Sequence, residues 1–212
     1  MSGKMSGANG GTGIMTEAGI DEMVALRKLG LFGGSFDPIH HGHLILAREA
    51  LESLALDRVI LIPSGISPHK LASPPAPAEL RCEMVREAVR GEAGLDWDDC
   101  EIRRAGPSFA IDTVREMAVR YPEAKFHYFI GDDNLASLHT WKEIADLKSL
   151  VQFVVLTRGR AILETGWPVI SRPVEISSTE IRNRIARGLS VRYLIPESTC
   201  EIISKHRLYR ND

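Results

Sequence analysis

Cysteine is scarce in this chain: Cys82, Cys100 and Cys200 are odd in number, far apart and free of any CxxC spacing. That pattern excludes a disulfide framework and a zinc knuckle, and it suits a reducing compartment, expected to be the cytoplasm. Excess charge is also missing. With a formal net charge of -2, no global field favours nucleic acid or an anionic membrane, although a local basic cluster can still hold a small anion. No stretch approaches the roughly 20 consecutive apolar residues that a spanning helix needs, and no internal repeat is present. The expected partners are small molecules, with no nucleic acid and no membrane; homo-oligomerisation is left open.

The opening residues are rich in Gly, Ser and other small side chains and lack the continuous apolar core of a signal peptide. Residues 1–24 read as a disordered N-terminal tail and residues 25–212 as a single domain. At 212 residues and 44% hydrophobic, the chain can bury one real core.

What is present is an alternation of strand-like and helix-like segments from about residue 25 onward, the pattern of an α/β protein with a mostly parallel sheet and flanking crossover helices. The spacing predicts strands over Ala25–Phe32, Arg58–Ile62, Lys125–Ile130 and Val151–Leu156, a short strand over Cys100–Arg103, and an irregular or edge strand within Trp167–Val174. Ala47, Ala50, Leu51 and Leu54 recur at i, i+3, i+4, i+7, so their helix lays one apolar stripe on the sheet. Helices are also expected over Leu80–Arg90, Ile111–Tyr121, in stretches of Leu135–Leu147, and over Pro196–His206. The run PSGISPHKLASPPAPAE after the second strand carries too much Pro and Ser for anything but a long loop.

Two short stretches carry chemistry. The first is GGSFDPIHHGHL, Gly33 to Leu44, where a strand hands over to a helix. Gly33, Gly34 and Gly42 let backbone come close to a ligand. The helix start supplies N–H groups, and His40 and His43, three apart, add donors that can become cationic near neutral pH. A capping cluster and a metal site with Asp37 as third ligand are the competing readings; phosphate fits better, because no later ligand pair has zinc spacing.

The second stretch is ISSTEIR, Ile176 to Arg182. Ser177 and Glu180 make an S-x-x-E capping box, which alone means only a well-capped helix. Arg182 points further, since a cation near a helix N-terminus is unfavourable unless an anion is also there. Together with the Ser178 and Thr179 hydroxyls it makes a second phosphate cradle. Between the two stretches, Asp132 and Asp133 stand just past the carboxyl end of a strand, the side of an open α/β sheet where ligands bind.

GGSFDPIHHGH and ISSTEIR resemble the paired signatures of the HxGH nucleotidyltransferases. Within that class PSGISPHK, GPSFAIDT, GDDNLASLHTW and the ending VRYLIPESTCEIISKHRLY resemble the bacterial nicotinate-nucleotide adenylyltransferases, over about Leu29 to Tyr209 and in the same order. The resemblance implies a Rossmann-like nucleotidyltransferase fold and adenylyl transfer from ATP to nicotinate mononucleotide, giving deamido-NAD and pyrophosphate in NAD biosynthesis. It implies His40, His43 and Arg182 as catalytic groups, with His43 near the α-phosphate. Gly33, Gly34, Ser35, Gly42, Ser178, Thr179 and Asp133 would bind ATP and its phosphates. Lys70, Ala110, Thr140, Trp141 and Lys142 would serve the mononucleotide, with Trp141 stacked on the pyridine ring and backbone N–H groups near Thr140 to Lys142 meeting its carboxylate.

Mg2+ is implied as a cofactor held through ATP phosphates, with no direct protein ligand. The chain departs from the family pattern in Asp132, where a small residue is commoner, in Ser67, where proline is usual, and in Ala110, where threonine is frequent. Rivals within the same chemistry are preference for nicotinamide mononucleotide and phosphopantetheine adenylyltransferase. From another class, a nucleotide-binding sensor would keep the cradle without turnover.

Overall fold

In the computed structural model, which describes residues 26–65, 75–159 and 164–210, six parallel strands form one sheet in the order β3-β2-β1-β4-β5-β6. They are β1 (Lys28–Gly34), β2 (Arg58–Pro63), β3 (Leu95–Trp97), β4 (Lys125–Gly131), β5 (Val151–Thr157) and β6 (Val169–Ser171). The central strands read as near-continuous apolar runs because both faces of a parallel sheet are covered by crossover helices. On β4 the side chains alternate: Phe126, Tyr128 and Ile130 join one apolar cluster, while Phe129 joins the other.

One cluster is roofed by α1 (His41–Ser53), α2 (Ala78–Ala88), α6 (Ser178–Ala186) and α7 (Glu197–Lys205). These helices contribute Ala47, Ala50 and Leu51, then Met84 and Val85, then Ile181, then Ile202 and Ile203. The predicted stripe of α1 lands as expected, with Leu54 partly buried at its end. The opposite face is covered by α4 (Ala110–Arg120) and α5 (Ile144–Leu150), through Ile111, Val114, Met117 and Leu147. Among the described residues, no helix is long and apolar enough to cross a membrane.

The strand order reverses between β1 and β4. The chain first moves outward to β2 and β3, then returns to pair β4 on the other side of β1, with Leu29 opposite Arg58 on one flank and Phe126 on the other. Connections therefore leave the carboxyl ends of β1 and β4 in opposite directions, and a crevice opens between them.

One expectation needs correction. Cys100–Arg103, expected as a strand, forms the short helix α3. The Asp98 carboxylate accepts the Cys100 N–H at 2.8 Å, and the Asp99 carbonyl accepts from Ile102 and Arg103 at 2.9 and 3.0 Å, so a turn forms where alternation alone suggested extension. The edge strand lies earlier, at Leu95–Trp97, where Leu95 pairs with Val59. The helical stretches expected within Leu135–Leu147 are present, as a 3-10 segment, Asp132–Thr140, and the start of α5, separated by Glu143, which takes a left-handed φ of 49°. The predicted tail, residues 1–24, lies outside the described residues.

Candidate active site

At the end of β1 the chain turns through Ser35 and Phe36 into α1, whose N-cap is His40. The His40 and His43 rings stack at 3.7 Å between centroids and 18° between planes, and the His40 N–H donates to His43 Nδ1 at 3.3 Å. With Nδ1 accepting, a neutral His43 ring carries its proton on Nε2. His40 is 1% exposed, and no partner is found for its Nδ1 among the described residues. Burial above all, then the charges of Arg158 and His41, lowers its pKa to about 3. This corrects the expectation that both imidazoles can become cationic near neutral pH: His40 is held neutral.

The glycines also turn out to serve the protein's own packing. A Cβ at Gly33 would stand 2.9 Å from the Tyr128 hydroxyl, one at Gly34 3.1 Å from the Phe36 ring, and one at Gly42 3.0 Å from the His40 ring. Gly42 is buried and is not part of the cleft wall; it seats the His40 imidazole.

The second motif starts α6. Ser177 caps it, its hydroxyl accepting the Glu180 N–H at 3.1 Å. The Ser178 hydroxyl donates to the Pro38 carbonyl at 2.9 Å. The Arg182 guanidinium donates to the Asp37 carbonyl at 2.7 Å and to Thr179 Oγ1 at 3.3 Å. The two motifs are thus bolted to each other. Asp37 does not join the imidazoles as a metal ligand: its carboxylate accepts from Tyr209 and from the Ala76 N–H. Among the described residues no group of three or more His, Cys, Asp or Glu side chains could hold a metal ion.

The crevice between β1 and β4 holds two connected lobes. The larger, about 740 Å³, is lined by His40, His43, Ser178, Thr179, Arg182 and Arg158. The smaller, about 270 Å³, is lined by Phe109, Ala110, Tyr128, Thr140, Trp141 and Lys142. Gly33, Gly34, Ser35, Gly131 and Asp133 line both, so the lobes meet over the carboxyl ends of β1 and β4. Lys70 lies outside the described residues. Every other expected site residue except Gly42 lines one lobe or both.

In the smaller lobe Trp141 stands edge-on to Tyr128 and Phe153, at 6.1 and 6.5 Å between ring centroids. Its indole N–H is buried with no acceptor found among the described residues. The Thr140 hydroxyl donates to the Ser137 carbonyl at 2.7 Å. Lys142 pairs with Asp112 at 3.0 Å and lies 4.9 Å over the Phe109 ring. Asp132 accepts from the Thr157 hydroxyl and Asp133 from Asn134, so neighbouring carboxylates are held by different elements.

Sequence reasoning overlooked Arg158. Its guanidinium donates to the Ile176 carbonyl at 2.5 Å and lines the larger lobe. The available signal was its place directly after β5, at the ligand-binding end of the sheet. Also overlooked was the buried Glu101 beside the smaller lobe, which accepts the Thr113 hydroxyl at 2.7 Å, while Arg104 donates to Thr113 at 2.8 Å. Burial raises the Glu101 pKa, and the hydroxyl bonds from Thr113 and Ser108 oppose that rise.

Sheet order, crevice and paired helix starts together define a nucleotidyltransferase of Rossmann type, and the chain belongs to the cytidylyltransferase-like family, whose model matches residues 31–184. Within it, the chain belongs with the bacterial nicotinate-nucleotide adenylyltransferases. Proteins named "Probable nicotinate-nucleotide adenylyltransferase" from Exiguobacterium sibiricum and Thermus thermophilus are 41% and 42% identical to it over 187 residues, 86% of this chain and 98% and 100% of those proteins. A structure of the Plasmodium falciparum nicotinic acid mononucleotide adenylyltransferase complexed with NaAD has the same fold, with a TM-score of 0.72 over 86% of this chain and 97% of that one, at 19% identity.

Proposed function

We propose that the protein transfers the adenylyl group of ATP to nicotinate mononucleotide, releasing pyrophosphate and forming deamido-NAD. The observation that carries this reading is the two-lobed crevice: a lobe walled by two helix starts, imidazoles and arginines opens directly into one walled by Trp141 and Phe109.

The larger lobe suits a triphosphate. Peptide N–H groups at the start of α6, with the Arg182 guanidinium and the Thr179 hydroxyl, face the β and γ phosphates, and His43 offers an Nε2 donor to the α-phosphate. His40, neutral and stacked beneath it, fixes that ring. In the smaller lobe Trp141 offers a flat face to the pyridine ring, with Thr140, Lys142 and Ala110 around it. Lys70 is proposed for the same substrate on sequence grounds.

The reaction joins an oxygen of the mononucleotide phosphate to the α-phosphorus and breaks the bond from that phosphorus to the β-phosphate oxygen, which leaves with pyrophosphate. The attacking phosphate, with a second pKa of about 6, is already largely dianionic at neutral pH, so no general base is needed. The side chains position an in-line attack and stabilise charge on the departing pyrophosphate. Mg2+ bound to the phosphates would supply further charge neutralisation; the donor set fits a largely hydrated ion, with Asp132 and Asp133 on the cavity wall as acceptors for its waters.

Initial rates of pyrophosphate release with ATP, Mg2+ and either nicotinate or nicotinamide mononucleotide test the proposal. Faster turnover of the acid by kcat/KM supports it. Faster turnover of the amide overturns the substrate assignment, and nucleotide binding without pyrophosphate overturns the activity.

A further inference from the structure

Arg182 lines the larger lobe together with Asp37, yet the tyrosine that holds the Asp37 carboxylate does not line it. Its guanidinium donates to the Asp37 carbonyl at 2.7 Å and approaches the Asp37 carboxylate at 3.7 Å. That carboxylate is largely buried, with 12% of the side chain exposed. Its Oδ1 accepts the Tyr209 hydroxyl at 2.7 Å and the Ala76 N–H at 3.1 Å. Tyr209 lies past the end of α7, 172 residues from Asp37 in sequence. Burial, followed by the bond to Asp37, pushes the Tyr209 phenol far above its ordinary pKa, so it remains a donor throughout the physiological range.

Arg81 completes the arrangement. It is 1% exposed and donates to three backbone carbonyls: Ser35 at 2.7 Å, Ala76 at 3.0 Å and Gly65 at 3.3 Å. Ser35 follows β1 and Gly65 follows β2, and both line the larger lobe. Arg81 therefore ties the cleft walls together, and it is a buried cation whose charge is compensated chiefly by Asp37.

From this geometry we infer that Tyr209 is a positioning residue for adenylyl transfer, acting through Asp37 on Arg182. The inference rests on the function proposed above. A guanidinium has five N–H donors; two of those of Arg182 are spent on Asp37 and Thr179, which fixes the direction of the rest. Were the Asp37 side chain to rotate, the guanidinium would keep its backbone carbonyl anchor but lose the neighbouring carboxylate charge that holds its other edge. The Tyr209 and Ala76 donors prevent that rotation. A residue at the far end of the chain thereby sets the aim of a phosphate-binding cation without touching the substrate, so that its aim is settled before the leaving group develops charge.

A double-mutant cycle on kcat for pyrophosphate release tests this. Tyr209→Phe removes one oxygen and keeps the ring. The expected result is a loss on the order of tenfold in kcat, with KM for the mononucleotide nearly unchanged and only the modest fall in melting temperature that the loss of one buried bond brings. In an Arg182→Lys background the same change should cost almost nothing further, because the group it aims is gone. Asp37→Asn, which keeps an acceptor for Tyr209 and Ala76, should retain more activity than Asp37→Ala. Equal losses from Tyr209→Phe in both backgrounds, or a lowered melting temperature with unchanged kcat, would overturn the inference and make Tyr209 a packing residue. A wild-type protein that binds ATP but releases no pyrophosphate would instead defeat the proposed function, before any variant is compared.

Discussion

The hydroxyl of Ser178 donates to the carbonyl of Pro38 at 2.9 Å across 140 residues of sequence. This bond and the Arg182 contact to Asp37 join the two helix starts into one clamp. Ser178→Ala should cost about 1 kcal/mol of stability, the usual value of one such bond. It should raise KM for ATP more than KM for the mononucleotide. Denaturant unfolding and initial-rate kinetics on the same preparation would check both; an unchanged KM for ATP would mean that the clamp holds without this bond.

The neutral, buried His40 makes stability pH-dependent. Its folded pKa of about 3 lies below the ordinary 6.5, so between these values the unfolded chain binds the proton more readily. The stabilising effect of keeping the ring neutral is complete above pH 6.5 and is lost as pH falls, at no more than about 1.4 kcal/mol per pH unit. Melting temperature should therefore drop faster from pH 6.5 to 4 in the wild type than in His40→Gln. Parallel curves would mean that the imidazole is protonated without penalty.

His43 and Trp141 should separate kinetically. His43→Ala is expected to collapse kcat with a modest change in ATP binding, because its proposed contact matters most as charge moves onto the leaving group. Trp141→Ala should mainly raise KM for the mononucleotide, by tenfold or so for loss of one aromatic face, about 1.4 kcal/mol. The indole also stands against Tyr128 and Phe153. A variant with a lower melting temperature but unaltered KM would show that packing is its whole role.

Arg81→Met keeps much of the side-chain volume and abandons three carbonyl acceptors on Ser35, Gly65 and Ala76. Because the guanidinium is buried, the change should destabilise the fold by about 3 kcal/mol or more. Calorimetry gives the cost. A loss below about 1 kcal/mol would mean that water reaches the abandoned carbonyls.

Local features were legible in the amino-acid order. The α1 stripe at Ala47, Ala50 and Leu51, the apolar β2, β4 and β5, and the Ser177 cap all depend on neighbours a few residues away, where periodicity and capping chemistry act. Cys100–Arg103 misled because a four-residue apolar alternation is compatible with strand and with helix, and the Asp98 carboxylate decided between them.

By itself, then, the sequence determined the α/β class, the two helix starts with their side-chain caps and imidazoles, and the family they belong to. Only the tertiary structure decided that Ser178 faces Pro38, that Arg182 is anchored on Asp37, whose carboxylate accepts from Tyr209, that the His40 ring is neutral, and that Gly42 serves this ring without lining the cleft. The reason is physical: these relationships follow from the register of β1 between β2 and β4 and from which surfaces close on each other, and contacts across such distances leave no periodic trace in the chain.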